Sequence, residues 1–245
     1  MVQQLTPETA AELHYPDSDG KPIADNTKQF RWIVTIKENL EILFADIVDV
    51  FIAGDLLWYP VEEKNKLCQA PDAMVVFGRP KADRGSYQQW KENNIPPQVV
   101  FEILSPSNST KDMSKKLLFY QRYGVEEYYI YNPDTVEFTG LLRSGENLEV
   151  IEQINGWVSP RLSVRFVLTP DTLEIYRPDG RQFLTSVELD QLREQERQRA
   201  EQESQRAEQE RQDKEAALQQ LELERQRYQD LLARLQQRGI EPENL

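Results

Sequence analysis

The 245-residue chain holds a single cysteine, Cys68, and a single histidine, His14. One cysteine excludes an intramolecular disulfide and any CxxC-type metal site. One histidine excludes a cage of imidazoles around zinc. A Ser–His or Cys–His nucleophile pair would have to recruit His14 from a polar N-terminal stretch, a poor setting for such a base. Hydrophobic residues make up only 39% of the chain, too few for a wholly globular molecule of this length, so part of it is expected to lack an ordinary core. No run approaches the roughly 20 apolar residues that cross a bilayer. The opening MVQQLTPETAAE lacks the basic-then-apolar order of a signal peptide. The expectation is a soluble cytoplasmic protein with no membrane partner. The formal net charge of −13 denies the whole chain a basic footprint for nucleic acid. An enzyme acting on nucleic acid would then need a local basic patch or metal ions.

What the chain does have changes character near residue 187. From Val187 to Gln237 there is no proline or glycine, and Glu, Gln and Arg dominate. Within this stretch RAEQESQRAEQERQ repeats every seven residues. One heptad position reads Ala200, Ala207, Lys214, Leu221, Tyr228, Leu235, and its neighbour reads Arg197, Ser204, Arg211, Leu218, Arg225, Leu232. The apolar seam is poor before Ala216 and respectable from Leu218 to Leu235. Two readings stay open: a solvated helix held by Glu–Arg pairs, and a coiled coil whose tight part is its C-terminal third, giving a homodimer. Gly239 and Pro242 are the expected stop. The expected division is an exposed segment at 1–24, a domain at 25–185, a helical coiled coil at 187–238 and a tail at 239–245.

The domain reads as α/β. Phe30, Ile33, Val34, Leu40, Leu43 and Phe44 recur at helical spacing, with Asp25 or Asn26 as the cap. DVFIAG and LLWYP flank a tight turn at Gly54-Asp55. AMVVFG, QVVFEIL, EYYIYNP and TLEIYRPDGRQF read as further strand material, the last with a hairpin turn at Pro178-Asp179-Gly180. Between QVVFEIL and EYYIYNP, Leu117, Leu118 and Tyr120 lie at helical spacing before Gly124. A strand at 98–104, a helix at 111–123 and a strand at 128–132 make a strand–helix–strand unit of a mixed sheet.

Two acids sit against apolar strands. Asp72 follows Pro71 at the head of AMVVF, and Glu102 lies inside VVFEIL. Alternation puts Val100, Glu102 and Leu104 on one face, so the Glu102 carboxylate is not freely hydrated and needs a partner. If the two strands are neighbours, the acids converge and repel, and a hard divalent cation such as Mg²⁺ offsets that repulsion. The Ile103 carbonyl offers a third oxygen. The plainer alternative is a turn aspartate and a solvent-facing strand glutamate.

APDAMVVFG, followed by PPQVVFEILSPSNSTKDMSKKLLFYQRYGVEEYYIYNPD, resembles the Uma-two family of bacterial endonucleases, within the PD-(D/E)XK nuclease superfamily. The resemblance covers about residues 25–180 and omits the heptad tail. It implies a restriction-endonuclease-like mixed sheet flanked by helices and a phosphodiesterase dependent on Mg²⁺ or Mn²⁺. Asp72 and Glu102 take the metal-binding positions. The superfamily's usual lysine position, two residues after the second acid, is Leu104 here. The family's lysine matches Lys116 on the following helix, with Lys111 and Lys115 as competitors. Asp25 is the candidate for the additional helical acid, with Gln29 one turn later. Ser105, Ser107 and Asp112 are expected to shape the loop and cap the helix, and Tyr120 to orient the lysine or to pack.

The reading that follows is hydrolysis of a nucleic-acid phosphodiester, DNA foremost, by Asp72, Glu102, Lys116 and Asp25. The stretch from Asp190 onward carries fourteen acids and ten bases, leaving about −9 with the domain. Docking of phosphate would fall to Lys111, Lys115, Lys116 and Arg122. The alternative is a catalytically silent nuclease fold that acts as a scaffold through its coiled coil.

Overall fold

The computed structural model describes residues 13–20 and 22–238. The expected stop at Gly239 and Pro242, and most of the N-terminal segment, lie outside the described residues. The chain divides into two compact units between Ser186 and Val187.

The first unit opens with α1 (Thr27–Leu43). Asn26, not Asp25, caps it, accepting from the Gln29 N–H through its side chain. The helix buries Gln29, Ile33, Ile36, Asn39 and Leu40, whereas Phe30 is 48% exposed. The sheet-facing stripe therefore holds the expected Ile33 and Leu40 but also runs through two polar residues, and of the expected apolar residues Phe30 faces outward. Strands β1 (Val50–Ala53), β2 (Trp58–Tyr59), β3 (Ala73–Phe77), β4 (Tyr87–Gln88) and β5 (Val99–Ile103) precede α2 (Thr110–Arg122). Then follow β6 (Glu127–Asn132), β7 (Glu137–Ser144), β8 (Asn147–Val150), β9 (Arg165–Leu168) and β10 (Leu173–Tyr176).

Six strands form one mixed sheet in the order β1-β3-β5-β6-β7-β8. Only β5 and β6 run parallel, joined by α2 as a crossover, and the other neighbours are antiparallel. This is the mixed α/β architecture expected from the sequence, strand–helix–strand unit included. The two faces are covered differently. Ile33, Ile36 and Leu40 of α1 pack with Val75, Phe101 and Tyr129, and with Phe166 and Ile175 of the β9–β10 pair. Phe119 and Tyr120 of α2 pack with Met74, Val100 and Tyr128 on the opposite face. Burial on both faces explains why β5 reads as a continuous apolar run and not as an alternating one.

Several local expectations differ from the structure. Gly54-Asp55 does not close a hairpin: β1 pairs with β3, while β2 pairs with β4 in parallel. Asp55 takes a left-handed conformation at φ 49°, which turns the chain out of the sheet after β1. Leu118 is 64% exposed because α2 turns Phe119 and Tyr120 inward instead. The β7–β8 hairpin, closed at Gly145 (φ 61°), and β9 were absent from the sequence reading. The Pro178-Asp179-Gly180 turn does form, and its far side returns only as a single bridge between Tyr176 and Gln182. Near the N-terminus, Tyr15 packs edge-on to Tyr59 and against Trp90, and the Tyr59 hydroxyl donates to the Pro16 carbonyl. That stretch is thus anchored at Tyr15 and Pro16.

The second unit is one helix, α3 (Ser186–Gln237), with no buried residue. Arg197–Glu194 and Arg211–Glu208 are ion pairs three residues apart along it. Among the described residues no helix is long and apolar enough to cross a membrane.

Candidate active site

The antiparallel register of β3 and β5 pairs Ala73 with Phe101 and Met74 with Val100. One step further sets Asp72 opposite Glu102, with both side chains on the α2 face, because strand side chains alternate. Both are buried, at 7% and 2% exposure. The backbone itself links them: Asp72 Oδ2 accepts from the Ile103 N–H at 2.6 Å.

Helix α2 supplies the partners of Glu102. Ser109 caps its start, accepting from the Asp112 N–H and donating to the Asp112 carboxylate. Seven residues on, Lys116 Nζ lies 2.6 Å from Glu102 Oε2, and one turn later the Tyr120 hydroxyl donates to Glu102 Oε1 at 2.5 Å. Each oxygen of the buried acid therefore has its own donor. Lys111 and Lys115 are exposed, and Lys115 pairs with Asp112, at 3.5 Å. Of the three competing lysines the structure brings Lys116 to the acids. Tyr120 binds the glutamate, not the lysine.

Asp25 sits apart from this pair. Its Oδ2 accepts from the Ser105 and Ser107 hydroxyls, and its N–H donates to Gln29 Oε1 at 2.8 Å. Gln29 in turn donates to the Ile103 carbonyl at 2.7 Å. One lone pair of that carbonyl is therefore engaged. Ser105 and Ser107 thus fasten the loop after β5 to the start of α1, and the capping of α2 falls to Ser109.

Asp25, Gln29, Asp72, Glu102, Ser107 and Lys116 border a cleft of about 310 Å³ that also includes Asp19, Asp55, Gln69, Asn108 and Asp112. Asp55 was missed in the sequence. The β1–β3 register, carried two residues past Ala53 and Met74, brings it across from Asp72, and its N–H donates to the Pro71 carbonyl at 3.0 Å. A Cβ at Gly54 would lie in ordinary contact with the Asp72 carbonyl, at 3.4 Å. An exposed-looking Gly-Asp turn carries no signal of that neighbour.

The electrostatics follow from burial. Desolvation, then the charge of Glu102, push the Asp72 carboxyl well above the ordinary aspartate range, against the pull of Lys116 and the Ile103 N–H. Asp55 is pushed up to about 6 by desolvation and by the charge of Asp19. Burial alone would lower the Lys116 pKa, but Glu102, Asp72 and Asp55 together raise it, so the ammonium stays charged. Desolvation and Glu102 push the Tyr120 phenol far up, which keeps it a donor. The Ser105 and Ser107 hydroxyls lower the Asp25 pKa. The buried Tyr128 hydroxyl, which feels Glu102 and Asp72, has no hydrogen-bond partner among the described residues.

Among the described residues no group of three or more Asp, Glu, His or Cys side chains is arranged to hold a metal ion. A cation here would rest on two carboxylates, Asp72 and Glu102, with carbonyl and water oxygens completing its shell. That all-oxygen donor set, strained by like charge at Asp72, suits a hard divalent ion of the Mg²⁺ type.

No curated protein matches the chain. Among solved structures, one described as a "putative nuclease belonging to DUF820 from Anabaena variabilis" is 16% identical. It covers 53% of this chain and 70% of its own, with a TM-score of 0.39. The family model described as "Putative restriction endonuclease" matches residues 3–226, reaching past the domain and far into α3, where the sequence resemblance had stopped. With nearly all of its 245 residues matched, the chain belongs to the Uma2 family.

Proposed function

We propose that the cleft hydrolyses a phosphodiester bond of nucleic acid, DNA foremost, with a divalent cation held by Asp72 and Glu102. The observation that carries this reading is the meeting of two buried strand carboxylates with a charged lysine at the wall of a cleft. When bound, Mg²⁺ or Mn²⁺ would supply Lewis acidity and an acidified water.

The chain's own residues do the rest. Tyr120 and Lys116 fix the plane and position of the Glu102 carboxylate. The Ile103 N–H fixes Asp72, and Gln29 orients the Ile103 carbonyl. Lys116 stays protonated, so it is suited to hold a phosphate oxygen or a developing negative charge as a point charge, and not to act as a base. Asp25, through Ser105 and Ser107, holds the loop that borders the cleft. Exposed Lys111 and Lys115, on the outer side of α2, are placed to meet a phosphate backbone.

The test is cleavage of single-stranded, duplex and branched DNA with Mn²⁺ or Mg²⁺. Lys116→Met is expected to slow cleavage by about 10²–10³-fold, and Asp72→Ala to remove measurable Mn²⁺ binding. Equal cleavage by wild type and Glu102→Gln would sink the reading.

A second reading has its own support: the cleft is lined by six acids and one lysine. Such a wall repels phosphate, and a silent nuclease fold serving as a scaffold through its helix would tolerate it. Calorimetric titration separates the two, because a scaffold shows no Mn²⁺ binding that depends on Asp72.

A further inference from the structure

The helix α3 leaves large apolar side chains in solvent. Leu218, Leu221 and Tyr228 are 57%, 57% and 63% exposed, and Leu231 beside them is 55% exposed. They fall in one third of a 52-residue helix that buries nothing. A helix of this kind either meets a partner along that stripe or leaves it wet.

The heptad positions say what fits. In the first part of the helix the two positions that flank the seam hold Glu196, Glu201, Glu203, Glu208, Glu210 and Glu215. Two copies side by side, parallel and in register, set these against one another: 196 faces 201, 203 faces 208 and 210 faces 215. The same alignment stacks Arg225 on its own copy inside the seam. Those three flanking contacts are then between like charges.

Reversing one helix removes the conflict. Centring the antiparallel pair between Gln226 and Arg227 places Leu218 on Leu235, Leu221 on Leu232 and Arg225 on Tyr228 of the second copy, each layer occurring twice by symmetry. The leucines meet leucines. The guanidinium meets a tyrosine face, a favourable cation–π pairing. The glutamate-flanked halves run past the ends of the paired stretch and have no acidic partner to meet among the described residues, which end at Arg238.

We propose that α3 is a self-association element that pairs antiparallel over residues 218–235 with a second copy of this chain. In that direction no layer of the seam sets like charges together. The paired stretch is about 27 Å long, so the dimer is weak and depends on protein concentration. The proposal does not depend on catalysis, and its failure leaves the nuclease reading untouched.

The test uses the full chain. Sedimentation equilibrium over about a hundred-fold range of concentration is expected to show a monomer–dimer equilibrium. Leu221→Glu, on a solvent-exposed helical site that leaves the first unit's fold alone, is expected to weaken it at least about ten-fold. Direction is read by cross-linking. Leu218→Cys and Leu235→Cys chains are mixed and oxidised, with the wild-type chain as the control for Cys68. A mixed 218–235 disulfide supports the antiparallel pair. A 218–218 disulfide shows the parallel pair and overturns the proposal. A monomer at every concentration also overturns it, and leaves the stripe to a different partner or to solvent.

Discussion

Glu102 and Glu127 lie on neighbouring strands of one sheet, and both are buried among apolar residues. They teach different lessons. Glu102 points at a cleft and is held by two long side chains from one helix, Lys116 and Tyr120. Glu127 is 0% exposed and is enclosed by the Tyr129 and Ser159 hydroxyls and the Arg161 N–H. The first has an ammonium beside it at the wall of a cleft. The second is satisfied by two hydroxyls and a backbone N–H and does not line that cleft. A buried carboxylate is therefore not a functional signal by itself; the kind of donor and the access decide.

The sharpest way to break this comparison is to remove each charge in turn. Glu102→Gln is expected to cut metal-dependent cleavage by about 10³-fold or more. Comparable activity loss in Glu127→Ala would erase the distinction. That second variant leaves three buried donors unpaired, which costs about 3 kcal/mol of stability and lowers the Tm by about 6–12 °C. Its Mn²⁺ affinity by calorimetry should match wild type. Tyr120→Phe removes one donor to Glu102 and should slow cleavage about ten-fold with little change in substrate KM.

The smallest effect is a pH dependence. Burial raises the Glu127 pKa above 4.5, more than the bonds from Ser159, Arg161 and Tyr129 lower it. A raised folded-state pKa gives stability that is fully present below the unfolded value and is lost as pH rises through the folded one. Melting curves of wild type and Glu127→Gln, taken from about pH 4 to about pH 8, should show the wild-type advantage shrinking with rising pH. An advantage that grows with pH would mean that the fixed donors outweigh burial.

How much was legible beforehand follows the range of the interactions. The β5–α2–β6 unit is local, and its apolar runs, its lysines and Gly124 mark it in sequence. The convergence of Asp72 and Glu102 required only that β3 and β5 be neighbours, and Lys116 and Tyr120 share a helix face at a spacing of four. Asp55 was hidden because its place depends on β1 pairing with β3 across a turn in a left-handed conformation. Glu127 could not be told from Glu102, since its donors at Ser159 and Arg161 lie more than thirty residues away. The inward face of α1 was legible at Ile33, Leu40 and Phe44 but not at buried Gln29 and Asn39, which hold their places through hydrogen bonds: Gln29 to the Ile103 carbonyl, Asn39 to the Leu184 carbonyl and to Arg177.

Both groups that hold Glu102 ride on the same short helix, whose start is pinned by Ser109 and whose inward side is locked by Phe119. Length within this segment is therefore far more tightly constrained than chemistry. One extra residue between Ser109 and Lys116 would swing the ammonium and the phenol together by about 100° around the helix axis. The acid would lose both at a stroke, so drift in this stretch can proceed by exchange of side chains but not by insertion or deletion.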